Sequence, residues 1–229
     1  MDRSRIAIVI PALNESASIA AVVERAARHG VPIVVDDGST DGTAELARAA
    51  GAEVVRLERN CGYDWALENG FRHASSLNLE FIITMDADGQ HDADLIDQFA
   101  AEFERGADVV IGIRDRRQRL SEHLFAWVAL WIWGVRDPLC GMKGYATSVY
   151  RRLGHFDSYG SIGTELALFG VRNGFRVVQV PVPTRSRAGS PRFGRLIAAN
   201  WRILRALMLA FAPPRACPSL PPRRPHDAP

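Results

Sequence analysis

Two clusters of carboxylates are the residues best suited to do chemistry. The run Val34-Val35-Asp36-Asp37-Gly38-Ser39-Thr40-Asp41-Gly42 is followed, fifty residues on, by Met85-Asp86-Ala87-Asp88-Gly89-Gln90-His91. Each cluster follows a short apolar run, Ile33-Val34-Val35 and Phe81-Ile82-Ile83-Thr84-Met85. Apolar runs bounded by Gly and Asp read as buried strands. The acids then sit at the carboxyl ends of two strands, the edge where open α/β sheets bind ligands. Carboxylates gathered there repel one another unless a cation or a ligand donor compensates. A divalent metal carrying a diphosphate is the simplest compensator, and Asp oxygens suit Mg²⁺ or Mn²⁺.

The elements that must hold these acids follow from pattern. Ile6 to Pro11 reads as a first strand, and Asn14-Glu15-Ser16 as the cap of a helix carrying Ile19, Val22 and Val23. Ile33 to Val35 is a second strand, and Ser39-Thr40-Asp41 opens a helix that runs through Ala50. Glu53–Arg56 is a third strand, Ala66 to Ala74 a helix, Phe81 to Met85 a fourth strand, Leu95 to Glu104 a helix, and Asp108 to Gly112 a fifth strand. This alternation predicts an α/β fold with a mostly parallel central sheet and helices on both faces.

Beyond Gly112 the pattern changes. Four arginines fall within the six residues Arg114 to Arg119, and a Trp-rich helix follows from Leu120 to Gly134. A helix or turn near Ser148–Leu153, a strand Val177–Val182 and an apolar-rich helix over 195–211 complete a domain of residues 1–212. Residues 213–229 are rich in Pro and Arg, the composition of a disordered tail.

Bulk composition narrows the class. The chain has 229 residues, 47% apolar content and a formal net charge of +2, which suits one domain and makes no case for a nucleic-acid binder. Lys143 is the only lysine beside 27 arginines (28 basic residues less one). Three cysteines, Cys61, Cys140 and Cys217, show no metal-ligand spacing, so a reducing, cytoplasmic setting is expected. The start of the chain has no signal-peptide pattern. The longest apolar stretch, the twelve residues Leu124 to Val135, is too short to span a bilayer but could lie on one.

Three motifs in order, Ile10-Pro11-Ala12-Leu13-Asn14-Glu15, the Asp36-Asp37 run and the Asp86-Ala87-Asp88 run, resemble glycosyltransferase family 2, with its GT-A fold. The nearest likeness is the polyprenyl-phosphate sugar transferase branch, of the dolichol-phosphate mannose synthase type. The resemblance spans about residues 5–205. It implies an inverting transfer from a nucleotide diphosphate sugar to polyprenyl phosphate at the cytoplasmic membrane face. It places Pro11, Ala12, Glu15, Asp36 and Asp37 around the nucleotide. Asp86, Asp88 and Gln90 would hold Mg²⁺ or Mn²⁺, with Asp88 also catalytic. Physics agrees: Asp36 and Asp37 suit the N–H and O–H donors of base and ribose, and Asp86 and Asp88 project to one side of a strand. A metal there is a Lewis acid for the leaving diphosphate.

The resemblance also places Arg114 and Arg119 at the acceptor phosphate, since a guanidinium fork suits phosphate. Lys143 matches a basic position that faces phosphate, and Arg192, in Ser190-Pro191-Arg192-Phe193-Gly194, stands where the family carries a lysine. A solvated charge run is the alternative for the arginines. Glu165 occupies the place of the family's acidic catalytic residue: a general base if the acceptor is an alcohol, a holder of sugar hydroxyls if it is a phosphate, or an ordinary helix-start Glu. The Trp-rich helix is either core or an interfacial helix in peripheral membrane contact. One stretch departs from the family pattern. Asn60-Cys61-Gly62-Tyr63-Asp64-Trp65-Ala66-Leu67 has Tyr63, Asp64 and Trp65 where basic and small residues are usual.

Three other functions compete. A soluble transferase acting on a glycan or small hydroxyl acceptor would share the donor site. A nucleotidyltransferase would carry a Gly-rich basic loop after the first strand, which Pro11 to Glu15 is not. A receiver-like, non-enzymatic signalling domain would use Asp36, Asp37, Asp86 and Lys143, but it would be about half as long.

Overall fold

The computed structural model describes residues 2–89, 92–115, 119–161, 163–183 and 196–211, the last segment with side chains from 200 onward. Gln90, Arg192 and the 213–229 tail lie outside the described residues.

Among the described residues seven strands form one sheet: β1 (Ile6–Ala12), β2 (Val31–Asp36), β3 (Glu53–Arg56), β4 (Phe81–Thr84), β5 (Val109–Arg114), β6 (Lys143–Ala146) and β7 (Val177–Val182). Their order is β3-β2-β1-β4-β6-β5-β7. All pairs are parallel except those of β6, which runs antiparallel to both β4 and β5. Both faces of the central strands are covered, so β1 reads as a continuous apolar run, as parallel strands do.

Among the described residues eight α-helices flank the sheet: α1 (Ile19–Ala26), α2 (Thr43–Ala49), α3 (Tyr63–Ser76), α4 (Leu95–Glu104), α5 (Leu120–Trp133), α6 (Thr147–Leu153), α7 (Glu165–Arg172) and α8 (Leu196–Leu209). Residues of α1, α2 and α4 fill the core on one face, around Ile8, Ile10 and Ile83. Residues of α3, α5, α6, α7 and α8 fill the other, around Phe71, Tyr145 and Phe156. Gly70 sets how closely α3 approaches the sheet. A Cβ there would fall 2.3 Å from Val9 Cγ1.

The alternating pattern and the mostly parallel sheet agree with expectation, and three details differ. The second helix starts at Thr43, not at Ser39, because Gly42 takes a left-handed φ of 83° and the residues before it form a loop. The first starts at Ile19, with Asn14 itself left-handed at φ 52°, so Asn14-Glu15-Ser16 is a loop, not a cap. Strand β6 and helix α7 carry no strong pattern of their own. Lys143–Ala146 becomes a strand because β4 and β5 supply a partner on each side.

Candidate active site at the carboxyl edge of the sheet

The parallel register brings the acids together. Ala12 of β1 pairs with Asp36 of β2, and Asp36 with Arg56 of β3, while Val9 pairs with Thr84, two residues before Asp86. Pro11, Ala12, Asp36, Asp37, Asp86 and Asp88 therefore share one edge.

Two loops at this edge are stitched to each other. The amides of Asn14, Glu15 and Ser16 donate to Ser39 Oγ (2.9 Å), Thr43 Oγ1 (2.8 Å) and Asp41 Oδ2 (3.0 Å). In return Asn14 Oδ1 accepts from the Thr40 amide at 3.0 Å. Thus the hydroxyls and acid of Ser39-Thr40-Asp41-Gly42-Thr43 hold the Pro11–Ser16 loop, a role their types suit. For exposed Asp41 burial raises the pKa, but its several hydrogen bonds with Thr43 and Ser16 together outweigh that and lower the value to about 2. Ser18 Oγ donates to the carbonyl of Ala87 at 2.8 Å and lies 3.4 Å from Glu15 Oε2, tying the same loop to the Asp86–Asp88 turn.

Asp36 and Asp37 are both buried. Asp36 Oδ1 accepts from the Ser39 amide at 3.0 Å, and Oδ2 lies 3.4 Å from Arg56 Nε. Asp37 accepts the amides of Cys61 (2.6 Å) and Gly62 (2.8 Å), one on each carboxylate oxygen, while its own amide donates to Ala12 O. The pair expected at base and ribose thus fastens the loops of this edge, Asp36 through the 39–42 turn and Asp37 through the loop before α3.

Asp86 and Asp88 are half-buried at the end of β4. Gly141 faces Asp86, and a Cβ built there would lie 2.8 Å from Asp86 Oδ2. The glycine leaves the carboxylate room that any side chain would fill. Among the described residues no three His, Cys, Asp or Glu side chains gather as a ready-made metal site. Two half-buried Asp carboxylates at one strand end are the donor type that fits a hard cation completing its oxygen shell from a diphosphate. Tyr63, first residue of α3, lies near this acid; burial first, then the charges of Asp86 and Asp64, push its pKa well up.

Next along the edge, Lys143 is buried, and its Nζ donates to the Gly163 carbonyl at 2.9 Å. Burial lowers its pKa against the pull of the Cys140, Asp137 and Asp64 charges. The 157–165 loop is self-supporting. Asp157 accepts the amides of Tyr159, Ser161 and Gly163. Glu165 is buried and accepts from the Ser158 amide (2.5 Å) and Ser158 Oγ (2.9 Å), with His155 Nε2 at 3.1 Å. Both of its oxygens are engaged in holding the loop.

The expected acceptor arginines differ from each other. Arg114 is mostly buried and grips Asp137 with its fork, with Glu122 also within 3.4 Å. Arg119 Nη1 meets Glu122 Oε1 at 3.1 Å. Asp137 and Glu122 so balance the two guanidinium charges. Neither acid stood out in the sequence, because an Asp after a Trp-rich helix and a Glu in its first turn look like ordinary surface residues.

Beside this cluster α5 packs on α8, and Ser121 Oγ bonds Asn200 Oδ1. Phe125 and Ala129 go inward, while Leu120, Trp127 and Trp131 are 88, 61 and 75% exposed. Trp201, Met208 and Phe211 extend the apolar surface from α8. Among the α5 tryptophans Trp133 packs against Phe211 and Arg172, while Trp127 and Trp131 pair with each other, ring centroids 6.3 Å apart. No described helix is long and apolar enough to cross a membrane.

The signature of Glycosyl transferase family 2 matches residues 7–126, more than half of the chain. The chain belongs to glycosyltransferase family 2. A polyprenol monophosphomannose synthase of Mycolicibacterium smegmatis is 30% identical to it, over 80% of this chain and 78% of that protein. A dolichyl-phosphate hexose transferase of Haloferax volcanii is 28% identical, over 82% of this chain and 86% of that protein. The fold is shared with glucosyl-3-phosphoglycerate synthase from Mycobacterium tuberculosis, solved with Mn²⁺, UDP and glucosyl-3-phosphoglycerate: TM-score 0.73 at 22% identity, covering 94% of this chain and 82% of that one. The family 2 transferase is therefore a GT-A domain, as its motifs implied.

Proposed function

We propose that this transferase moves a sugar from a nucleotide diphosphate sugar to polyprenyl phosphate, with inversion, as a peripheral protein on the cytoplasmic face of a membrane. The observation that carries the acceptor half is the apolar surface of α5 and α8, helices packed on each other with Trp127, Trp131 and Trp201 exposed. Trp and Leu on helices flanked by Arg suit the interfacial layer of a bilayer. The names of the two curated relatives support the same acceptor class.

In this reading the Pro11–Ser16 loop, Asp36 and Asp37 shape the nucleotide pocket. Asp86 and Asp88, with Gln90, would hold Mg²⁺ or Mn²⁺, and the bound ion would supply a Lewis acid for the departing diphosphate. An oxygen of the acceptor phosphate attacks the anomeric carbon from the face opposite the diphosphate. The bond from carbon to the diphosphate oxygen breaks, and the nucleoside diphosphate leaves with the electron pair. A phosphate nucleophile is already anionic, so no side chain needs to take a proton. The engaged carboxylate of Glu165 fits that requirement. Lys143 acts on the site through the Gly163 carbonyl, and Arg192 stays a candidate for the diphosphate.

A panel of nucleotide sugars with Mn²⁺, scored by thermal shift, tests the donor half. A bound donor at a hundredfold excess over Kd adds about 2.7 kcal/mol of stability. Vesicles containing anionic lipid test the location. The wild-type chain should bind them, less so with salt, and Trp127→Ser with Trp131→Ser should bind weakly. Transfer to a glycan hydroxyl, with vesicles ignored, would instead select the soluble-acceptor reading.

A further inference from the structure

Asp36 has no exposed surface, and part of its support comes from the neighbouring strand. Asp36 and Arg56 are register partners at the carboxyl ends of β2 and β3. Asp36 Oδ1 accepts from the Ser39 amide at 3.0 Å, whereas Oδ2 is buried and accepts no hydrogen bond. The guanidinium of Arg56 faces Oδ2, with Nε at 3.4 Å. Among the described residues it is the one cation paired with Asp36. A buried carboxylate with a single hydrogen bond depends on such a partner.

The other nitrogens of Arg56 engage the same corner of the fold. Nη1 donates to Glu45 Oε1 of α2 at 2.8 Å, and Nη2 reaches the Ser39 carbonyl at 3.4 Å. One side chain of β3 thus touches the end of β2, the turn after it and the helix that follows. Ser39 carries the grip onward. Its Oγ accepts from the Asn14 amide at 2.9 Å, and the Thr40 amide donates to Asn14 Oδ1 at 3.0 Å. The route from Arg56 through Asp36, Ser39 and Asn14 ends in the Pro11–Ser16 loop. Arg56 itself is half-exposed, and as one of many arginines it carries no signal in the sequence.

We propose that Arg56 is a positioning residue for the nucleotide pocket: through Asp36 and Ser39 it fixes the turn and the loop that receive the donor. The inference rests on the donor-site reading above, in which Asp36 and the Pro11–Ser16 loop shape that pocket. An ion pair between two exposed side chains contributes little. Here one partner is fully buried, so removing Arg56 leaves a buried charge without its counter-ion. The turn relieves this by letting Asp36 move towards water, and Ser39 and Asn14 follow. A nucleoside diphosphate then has to reorder the loop as it binds, and that ordering lowers its affinity. Glu45 holds the outer end of the guanidinium and keeps Nε aimed at Asp36.

The test is calorimetry on the full chain with Mn²⁺, titrated in turn with UDP, GDP, CDP and ADP. Arg56→Ala should weaken whichever nucleotide the wild type binds by about tenfold. Arg56→Lys should recover part of the loss, because an ammonium keeps the charge but not the fork that spans Asp36, Glu45 and Ser39. Arg48→Ala removes a surface charge 4.0 Å from Glu45 and should bind as the wild type does. In an Asp36→Asn background Arg56→Ala should lose little further affinity, because the two residues act as a unit. Wild-type affinity in Arg56→Ala, with or without a lower Tm, overturns the proposal. An equal loss in Arg48→Ala overturns it as well, since surface charge alone would then account for the effect. So does an undiminished loss in the Asp36→Asn background, which would make Arg56 act without Asp36. If Arg56→Ala does not fold, Arg56→Gln and Arg56→Lys replace it, and wild-type affinity in both overturns the proposal. A wild-type chain that binds none of these nucleotides overturns the donor-site reading itself.

Discussion

Arg114 and Asp137 are locked together across the end of β5. Arg114 Nε lies 2.8 Å from Asp137 Oδ2, Nη2 2.9 Å from Oδ1, and the Arg114 amide donates to Oδ2 at 3.1 Å. Burial pushes the Asp137 pKa up, and the guanidinium outweighs it and brings the value below the ordinary range. The pair fastens the segment after α5 to β5.

Arg114→Ala should therefore act on stability first. Removing one partner of a buried pair leaves the other charge uncompensated, a cost of about 3 kcal/mol. Urea denaturation reads this directly. A variant as stable as wild type but with a raised acceptor KM would mean that Arg114 contacts the acceptor after all.

Gly141→Ala probes the space before Asp86. Its backbone is not left-handed, so alanine adds only a methyl group aimed at Asp86 Oδ2. Mn²⁺-dependent binding of the nucleoside diphosphate should fall by about tenfold, equivalent to about 1.4 kcal/mol, with little change in Tm. Asp88→Asn should abolish most turnover in the same way. Full activity of either variant, or of the wild type in EDTA, would remove the metal from the mechanism.

Glu165→Gln should lower Tm more than turnover. The neutral amide replaces a carboxylate that accepts from the Ser158 amide and hydroxyl. Hydrogen bonds to a charged group contribute about 1.5–3 kcal/mol each. Specific activity per folded molecule should stay near that of wild type. A well-folded but inactive variant would make Glu165 the general base of a hydroxyl acceptor.

Asp64 predicts a pH dependence of stability. Its folded pKa of about 7 stands above the ordinary aspartate value of 3.8. Between these values the folded state holds a proton that the unfolded chain has released. The stabilising contribution is complete below the unfolded pKa and is lost as pH rises through about 7. Asp64→Asn should remain stable where the wild type weakens, seen as Tm curves that diverge as pH rises from 3.8 to about 7 and run parallel above that. Curves parallel throughout would show that the carboxylate is ordinary.

The sequence alone carried the sheet, its parallel sense and the acidic edge. Local chemistry decides these: apolar runs bury themselves, glycine and aspartate end them, and the order of strands and helices leaves few topologies open. Paired acids after the second and fourth strands, with Ile10 to Glu15 before them, were enough to point to the family. What each acid bonds to was decided by residues far away in the chain. Asp37 grips Cys61 and Gly62, Glu165 serves Ser158, and Asp137 fills the fork of Arg114. Hydrogen bonds of this kind form only once the sheet and helices have brought distant loops within about 3 Å, so no local pattern announces them. The same holds for the exposed tryptophans of α5. Periodicity shows that a helix has an apolar side, but only packing shows that Trp127 and Trp131 point away from the sheet. Asp64 joins the two levels: its type broke the family pattern in the sequence, and the fold set it against Lys143, Asp157 and Arg202.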